Sequence, residues 1–222
     1  MAAVDMKQKL LAEFIGTALL LAIVIGSGIM GERLAQGNTA VALLANAIAT
    51  GCGLAVLIAL FGPISSAHFN PLVTLATWQA KEISFPECCA FILVQTLAAI
   101  SGVWLAHLMF DLPILQTSAK VRTGLGQWAG EFVATFGLIL LVRLGSALKL
   151  NAMAAWVALY ITAAYWFTSS TSFANPAVTI ARSLSDTFAG IHPTSVLGFI
   201  LAQGVGAVAA IFVAEQLKPQ LT

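Results

Sequence analysis

The chain contains the same helix-start pattern twice, as HFNPLVTLA around Asn70 and as FANPAVTIA around Asn175. An Asn at the N-cap accepts hydrogen bonds from free backbone amides, and a Pro at the first helical position has its φ already fixed. Polar or turn-forming segments follow within a few turns, so each helix is too short to cross a bilayer, which needs about 20 apolar residues. We therefore expect two short helices that meet end to end inside a membrane, with Asn70 and Asn175 at their positive ends.

The composition predicts that these short helices belong to a polytopic membrane protein. Only 9% of the 222 residues are charged and 59% are hydrophobic, whereas a typical soluble domain has about 25% charged residues. The net charge of +1 gives no indication of nucleic-acid binding. The apolar residues extend over the whole chain and predict an all-α membrane protein with six transmembrane helices. We place these spans at about 10–30, 40–61, 86–109, 127–148, 152–168 and 194–215.

The second half of the chain repeats the first. AEFIGTALLLAIVIGSG near the start matches AGEFVATFGLILLVRLGS in the fourth span, and one Asn-Pro motif follows each of them. Three spans separate the matching elements, so the two halves insert in opposite directions, which is an architecture of transport proteins. We expect one domain over 1–222, formed by inverted repeats at about 8–110 and 126–217, with the two half-helices meeting at the midplane.

Lys and Arg residues in the short loops predict the orientation of the chain. If the N-terminus is cytoplasmic, six basic residues lie on that side and four lie outside. The inner six are Lys7, Lys9, Lys81, Arg143, Lys149 and Lys218, and the outer four are Arg33, Lys120, Arg122 and Arg182. This bias favours a multi-pass protein of the inner (plasma) membrane with both termini in the cytoplasm.

The motifs resemble those of the aquaporin and aquaglyceroporin family. An ExxxT pattern begins at Glu13 in the first span and at Glu131 in the fourth, and each precedes its own Asn-Pro motif, AHFNP and FANPAVT. The resemblance covers nearly the whole chain. It implies a homotetramer of six-span barrels in the lipid bilayer, each protomer with its own pore, and no cofactor or metal.

The resemblance also assigns roles to the repeated motifs. The pore-motif residues are Asn70, Pro71, Leu72, Asn175, Pro176 and Ala177. The two Asn side chains would donate to passing solutes while capping their helices, the alternative being a capping role alone. Intramembrane acids are often ion or proton sites, but in this family Glu13 and Glu131 would instead accept hydrogen bonds from the irregular loops beside the half-helices. His68 would help to brace its loop or line the pore.

The constriction expected from the resemblance is small and uncharged. In most family members an Arg directly follows the second motif, and Val178 stands there in this chain. Counting in register from the motifs, the other three filter positions fall on Thr50, Ala163 and Ser172. We expect a wide, modestly polar filter. Arg182, one turn beyond Val178, would line the outer vestibule or pair with Asp186.

A filter of this kind is expected in a passive channel for small uncharged solutes. Val in place of the Arg resembles bacterial channels associated with arsenic resistance, which implies conduction of arsenite, As(OH)3, besides glycerol-like polyols and water. Alternatives are selectivity for water, or for urea, ammonia, peroxide or lactic acid. An ion-coupled secondary transporter is a further alternative, whereas no nucleophile–base pair, metal cluster or cofactor motif indicates an enzyme. We interpret the adjacent Cys88 and Cys89 as packing residues rather than an arsenic site.

Overall fold

The computed structural model describes residues 4–218, whose regular secondary structure is entirely helical. Its eight helices are α1 (Met6–Leu34), α2 (Thr39–Ser65), α3 (Pro71–Gln79), α4 (Phe85–Met109), α5 (Leu125–Ala147), α6 (Met153–Phe167), α7 (Pro176–Arg182) and α8 (Pro193–Leu217). The prediction of six longer helices and two half-helices is confirmed. The ends of the predicted domain, residues 1–3 and 219–222, lie outside the described residues.

The six longer helices are not equal in length. Five are long and apolar enough to cross a membrane, namely α1, α2, α4, α5 and α8. The fifth predicted span corresponds to α6, which has 15 residues and is therefore about 22 Å long. Since the hydrocarbon core of a bilayer is about 30 Å thick, α6 alone does not reach across it. The irregular segment 168–175 follows α6 and ends at the N-terminus of α7.

The half-helices α3 and α7 begin with the Asn caps that the sequence predicts. The Asn70 side-chain oxygen accepts from the Leu72 amide at 2.9 Å. The Asn175 side-chain oxygen accepts from the amides of Ala177 and Val178 at 3.0 and 3.2 Å. A Pro occupies the first turn of each helix, where no intrahelical hydrogen bond is lost.

Corresponding helices of the two halves pack in the same way. In the first half α1 packs along α4, and in the second half α5 packs along α8, while α2 meets α6 across the halves. Close backbone approach depends on glycine in both pairs. A Cβ at Gly102 would lie 2.2 Å from the Ala18 carbonyl oxygen, and one at Gly206 would lie 2.5 Å from that of Phe132. Small residues at such contacts are typical of helices packed in membranes.

The outer surface of the bundle is apolar. On α8, Leu201, Val205, Val208 and Phe212 are each at least 60% exposed. Their spacing of three or four residues places them on one face of the helix. Such a face fits contact with lipid or with another membrane-embedded surface.

Candidate functional site

A channel-like cavity of about 290 Å³ runs through the middle of the bundle. At one end it is lined by Glu82, which follows α3, and at the other by Arg182, the last residue of α7. Between them it passes Asn70 and Asn175. The two half-helices therefore begin at the same stretch of this cavity, and we name its ends the Glu82 end and the Arg182 end.

Asn70 and Asn175 join the two halves of the protein. The side-chain nitrogen of Asn70 donates to the Ala174 carbonyl at 2.8 Å, and that of Asn175 donates to the Phe69 carbonyl at 2.8 Å. Each amide nitrogen carries two hydrogens, so one N–H of each Asn is left for a solute in the cavity. Each Asn side chain therefore caps its own half-helix, bonds to the loop of the other half and keeps one N–H donor for the channel.

The loops that precede the half-helices have the same unusual backbone. Non-glycine residues with positive φ occur at matching positions in the two loops, namely Ser66, Ala67 and Phe69 in the first and Thr171, Ser172 and Ala174 in the second. Left-handed backbone is unfavourable for residues with a side chain and persists only where surrounding contacts hold it. These loops therefore need strong external hydrogen-bond partners.

Glu13 is that partner for the first loop. Its carboxylate is fully buried and accepts from the backbone amides of His68 and Phe69, at 2.9 and 2.8 Å. It also accepts from the Ser65 hydroxyl at 2.6 Å and from the Gln95 side chain at 2.8 Å. Four donors thus satisfy the carboxylate, as expected of a buried charge that is stable in place.

Glu131 holds the second loop in the same manner. It accepts from the amides of Phe173 and Ala174 at 2.8 and 2.9 Å, and from the Gln203 side chain at 2.6 Å. Gln95 and Gln203 also donate to Thr74 and Thr179, respectively, in the half-helices. These two glutamines were not predicted from the sequence, although an amide side chain within an apolar span indicates a polar partner.

Three of the four predicted filter residues line the channel together. Thr50, Ser172 and Val178 are each buried and contribute to the cavity wall. The hydroxyl oxygen of Ser172 has no hydrogen-bond partner among the described residues. That oxygen is itself buried, so the cavity wall at Ser172 holds an unpaired polar atom just below its surface.

The structure differs from the sequence prediction at Ala163. Ala163 lies on an exposed face of α6 and is absent from the cavity wall, so its assignment to the filter was wrong. Tyr165 takes that place: it lines the cavity, is 3% exposed, and its hydroxyl lies 3.3 Å from that of Thr50. Counting in register failed because α6 is short and irregular segments flank it, so an offset from the motif does not fix which face points inward.

Arg182 is buried at the end of the channel. Its Nε donates to the Ala189 carbonyl, and its guanidinium carbon lies 3.4 Å from the centroid of the Phe173 ring. It lines both the channel and a second cavity, of about 350 Å³, beyond it. The alternative pairing with Asp186 is not present, since the Asp186 carboxylate accepts from the Ala119 amide instead.

The remaining predicted residues support the site without forming its filter. Leu72 and Ala177 are buried in apolar clusters and do not line the channel. His68 lines the channel, and its Nδ1 lies 3.0 Å from the Thr74 hydroxyl. Cys88 is buried and Cys89 is exposed, so the two thiols face different surroundings.

Comparison with known proteins places this geometry in a family. The family model of the major intrinsic proteins matches residues 1–147. The chain is 50% identical over 207 residues to the aquaglyceroporin AqpS of Rhizobium meliloti (strain 1021), covering 93% of this chain and 88% of that one. It is 29% identical over 217 residues to the glycerol uptake facilitator protein-like 6 of Lactiplantibacillus plantarum, covering 94% and 97% of the two chains.

A solved structure shares the fold. The X-ray structure of the aquaglyceroporin from Plasmodium falciparum matches with a TM-score of 0.73 and 16% identity, over 96% of this chain and 97% of that one. Together, the family match over most of the chain, the 50% identical relative and the paired Asn-capped half-helices lead to one conclusion. The chain belongs to the major intrinsic protein family, whose members are membrane channels and not enzymes.

Proposed function

We propose that this protein is a passive channel for small uncharged solutes that carry several hydroxyl groups, namely glycerol-like polyols and arsenite, with water passing as well. The observation that carries the proposal is the composition of the constriction. Val178 occupies the position after the second motif, and the hydroxyl-bearing residues Thr50, Tyr165 and Ser172 line the same cavity. The filter is therefore uncharged at Val178 and rich in groups that both donate and accept hydrogen bonds.

The channel wall contains both polar and apolar residues. Leu20, Val24, Leu54 and Ile161 line the cavity together with the hydroxyl-bearing residues. A polyol carries both hydroxyl and C–H groups, so it can contact both kinds of residue in the wall. Arsenite is a neutral trihydroxy solute of similar size, and an uncharged filter does not reject it. The names of the two relatives, an aquaglyceroporin and a glycerol uptake facilitator, also favour polyols.

The ion-coupled alternative requires a free titratable group along the pathway. Glu13 and Glu131 are fully buried, accept hydrogen bonds from their loops and do not line the channel. Among the described residues Glu82 is the acid that does line it, and it lies exposed at one end. This arrangement offers no midplane carboxylate for coupling and favours passive flux.

Stopped-flow measurements on proteoliposomes test the proposal. We expect fluxes of glycerol, arsenite and water that rise in proportion to the solute gradient and do not change when sodium or proton gradients are imposed. Urea and hydrogen peroxide are measured in the same vesicles, since they are the competing neutral solutes. Water flux without glycerol or arsenite flux contradicts the proposal, and so does flux that depends on an ion gradient.

We further propose that the chain forms a single channel domain that assembles as a homotetramer, with both termini in the cytoplasm of a bacterial cell. The apolar outer surface of the bundle, including the exposed face of α8, supports a membrane-embedded assembly. Native mass spectrometry of the protein released from detergent tests the tetramer, and accessibility of tags at the two termini tests the orientation.

A further inference from the structure

The second cavity, at the Arg182 end of the channel, is unusually basic for a surface facing neutral solutes. Lys120, Arg122 and Arg182 all line it, and no Asp or Glu of residues 4–218 does so. Polar side chains complete part of the wall, supplied by Thr39, Asn46 and Thr171. Three cations thus face one cavity of about 350 Å³.

The three cations are held by neutral groups. Arg122 donates from Nε to the Gly190 carbonyl at 2.9 Å, and Lys120 donates from Nζ to the Phe188 carbonyl at 2.8 Å. Arg182 donates from Nε to the Ala189 carbonyl, and its terminal nitrogens have no hydrogen-bond partner among the described residues. None of the three takes part in a salt bridge there.

Two of these charges are also buried close to each other. Arg122 is 9% exposed and Arg182 2%. Their guanidinium carbons lie 5.2 and 3.4 Å from the centroid of the same ring, that of Phe173. Buried charges of one sign are unfavourable without a partner of opposite sign. The Glu131 carboxylate attracts both guanidinium groups but forms no salt bridge with either, and the carbonyl and ring contacts supply only partial negative charge. The cavity therefore favours an anion.

We call this second cavity the vestibule. We propose that it is a binding site for a small anion with two or more oxygen acceptors, such as a carboxylate or inorganic phosphate. Guanidinium groups present several N–H donors in a fixed plane, which matches the paired oxygens of such anions better than a single chloride ion. Because Arg182 lines both the vestibule and the channel, an anion bound there occupies the path of neutral solutes and reduces their flux.

Lys120 makes the site sensitive to pH. Partial burial of its ammonium is the main cause that lowers the pKa of Lys120 to about 8, and the charges of Arg122 and Arg182 add to it. The exposed Glu32 has a smaller, opposing effect. The other charged group nearby is Asp186, whose carboxylate accepts from the Ala119 amide beside Lys120. Lys120 is cationic below that pH and neutral above it, so anion binding weakens as the pH rises through about 8.

Two readouts on the purified protein test the site. The first is the melting temperature in detergent with increasing phosphate or acetate, compared with chloride at equal ionic strength, since a ligand of the folded state raises it. The second is glycerol flux into phosphatidylcholine vesicles containing the same anions on both sides. We expect phosphate and acetate to raise the melting temperature and to lower the flux, both effects fading between pH 7 and pH 9.

The variants separate a site from a general salt effect. Lys120→Met is expected to weaken phosphate binding by about tenfold, since one charge-assisted hydrogen bond is lost. Arg33→Gln is the matched control, because Arg33 also contacts one carbonyl and one ring, both of Phe110, but lies outside the vestibule. Retained phosphate effects in Arg33→Gln and weakened ones in Lys120→Met support the site.

Equal effects of phosphate and chloride on the wild type, or equal losses in the two variants, overturn the proposal. Vesicles that also contain phosphatidylglycerol distinguish the source of the anion. A lipid headgroup in this vestibule lowers the flux before any phosphate is added, again in a manner that depends on Lys120, whereas a free anion lowers it only on addition. The melting-temperature readout does not depend on which neutral solute the channel carries.

Discussion

The hydroxyl oxygen of Thr50 in α2 lies 3.3 Å from that of Tyr165 in α6, at the wall of the channel. This contact joins the two halves of the protein in the cavity that Val178 and Ser172 also line. Tyr165 lines the channel in place of the predicted Ala163, so the wall carries a bulkier and more polar side chain than four small residues would supply. The hydroxyl of Tyr165 is therefore a candidate partner for solute hydroxyl groups.

Tyr165→Phe removes that hydroxyl and keeps the ring. We expect glycerol flux to fall by about two- to tenfold relative to water flux, because one hydrogen bond contributes about 0.5–1.5 kcal/mol. Stopped-flow measurement on the same vesicles gives both fluxes. Tyr160→Phe is the control, since the Tyr160 hydroxyl donates to the carbonyls of Val133 and Ala134 outside the channel. An unchanged flux ratio in Tyr165→Phe contradicts the assignment.

Glu131→Gln tests the bracing of the second loop. The variant places an amide where two backbone amides and Gln203 now donate to a carboxylate, so at least one buried donor loses its acceptor. We expect a loss of stability of about 1–3 kcal/mol, seen as a lower melting temperature in detergent, and a lower flux of all solutes alike. A proton-coupling residue would give a different result. The variant would then be as stable as the wild type, and its solute flux would no longer depend on a proton gradient; this outcome would reject the bracing role.

Arg182→Met tests the electrostatic barrier at the end of the channel. A cation at about 6 Å from Arg182 is disfavoured by about 3 kcal/mol at an effective dielectric constant near 20. We therefore expect leakage of sodium ions or protons to rise by about ten- to a hundredfold, measured with a pH- or sodium-sensitive dye inside vesicles. Arg182→Lys keeps the charge and should retain most of the barrier. The hypothesis fails if cation leakage and solute flux are the same in Arg182→Met as in the wild type.

A pair of glycines in α8 tests the packing of the second half. A Cβ at Gly206 would lie 2.5 Å from the Phe132 carbonyl oxygen, whereas one at Gly204 meets nothing within 4 Å. We expect Gly206→Ala to lower the stability by about 1–3 kcal/mol because α5 and α8 must separate. Gly204→Ala should be neutral or slightly stabilising, by up to about 1 kcal/mol. Thermal unfolding in detergent compares them, and similar melting temperatures would contradict the close packing.

The sequence predicted the parts of the structure that depend on local chemistry and on the repeat. The Asn-Pro caps of α3 and α7 and the apolar lengths of the spans are local signals, so the helices were predicted within about four residues. The acids Glu13 and Glu131 stood out because a carboxylate in an apolar span requires donors. Their position beside the loops came from the family resemblance.

The parts that escaped prediction depend on how helices rotate against one another. Ala163 and Tyr165 are two residues apart on a short helix, and only the packing of α6 against α2 decides which of them faces the channel. The basic vestibule is likewise assembled from separate segments, with Lys120 and Arg122 before α5 and Arg182 at the end of α7. No spacing along the chain brings these residues together.

The central claim is that the constriction at Thr50, Tyr165, Ser172 and Val178 selects the solute. The most direct test measures glycerol, arsenite and water flux in vesicles containing wild type, Val178→Phe or Ala163→Phe. We expect Val178→Phe to reduce glycerol and arsenite flux by about tenfold or more and water flux much less, because a ring fills the constriction. Ala163→Phe should match the wild type, because that residue lies on the exposed face of α6. Unchanged selectivity in Val178→Phe, or a change in Ala163→Phe alone, would contradict the claim.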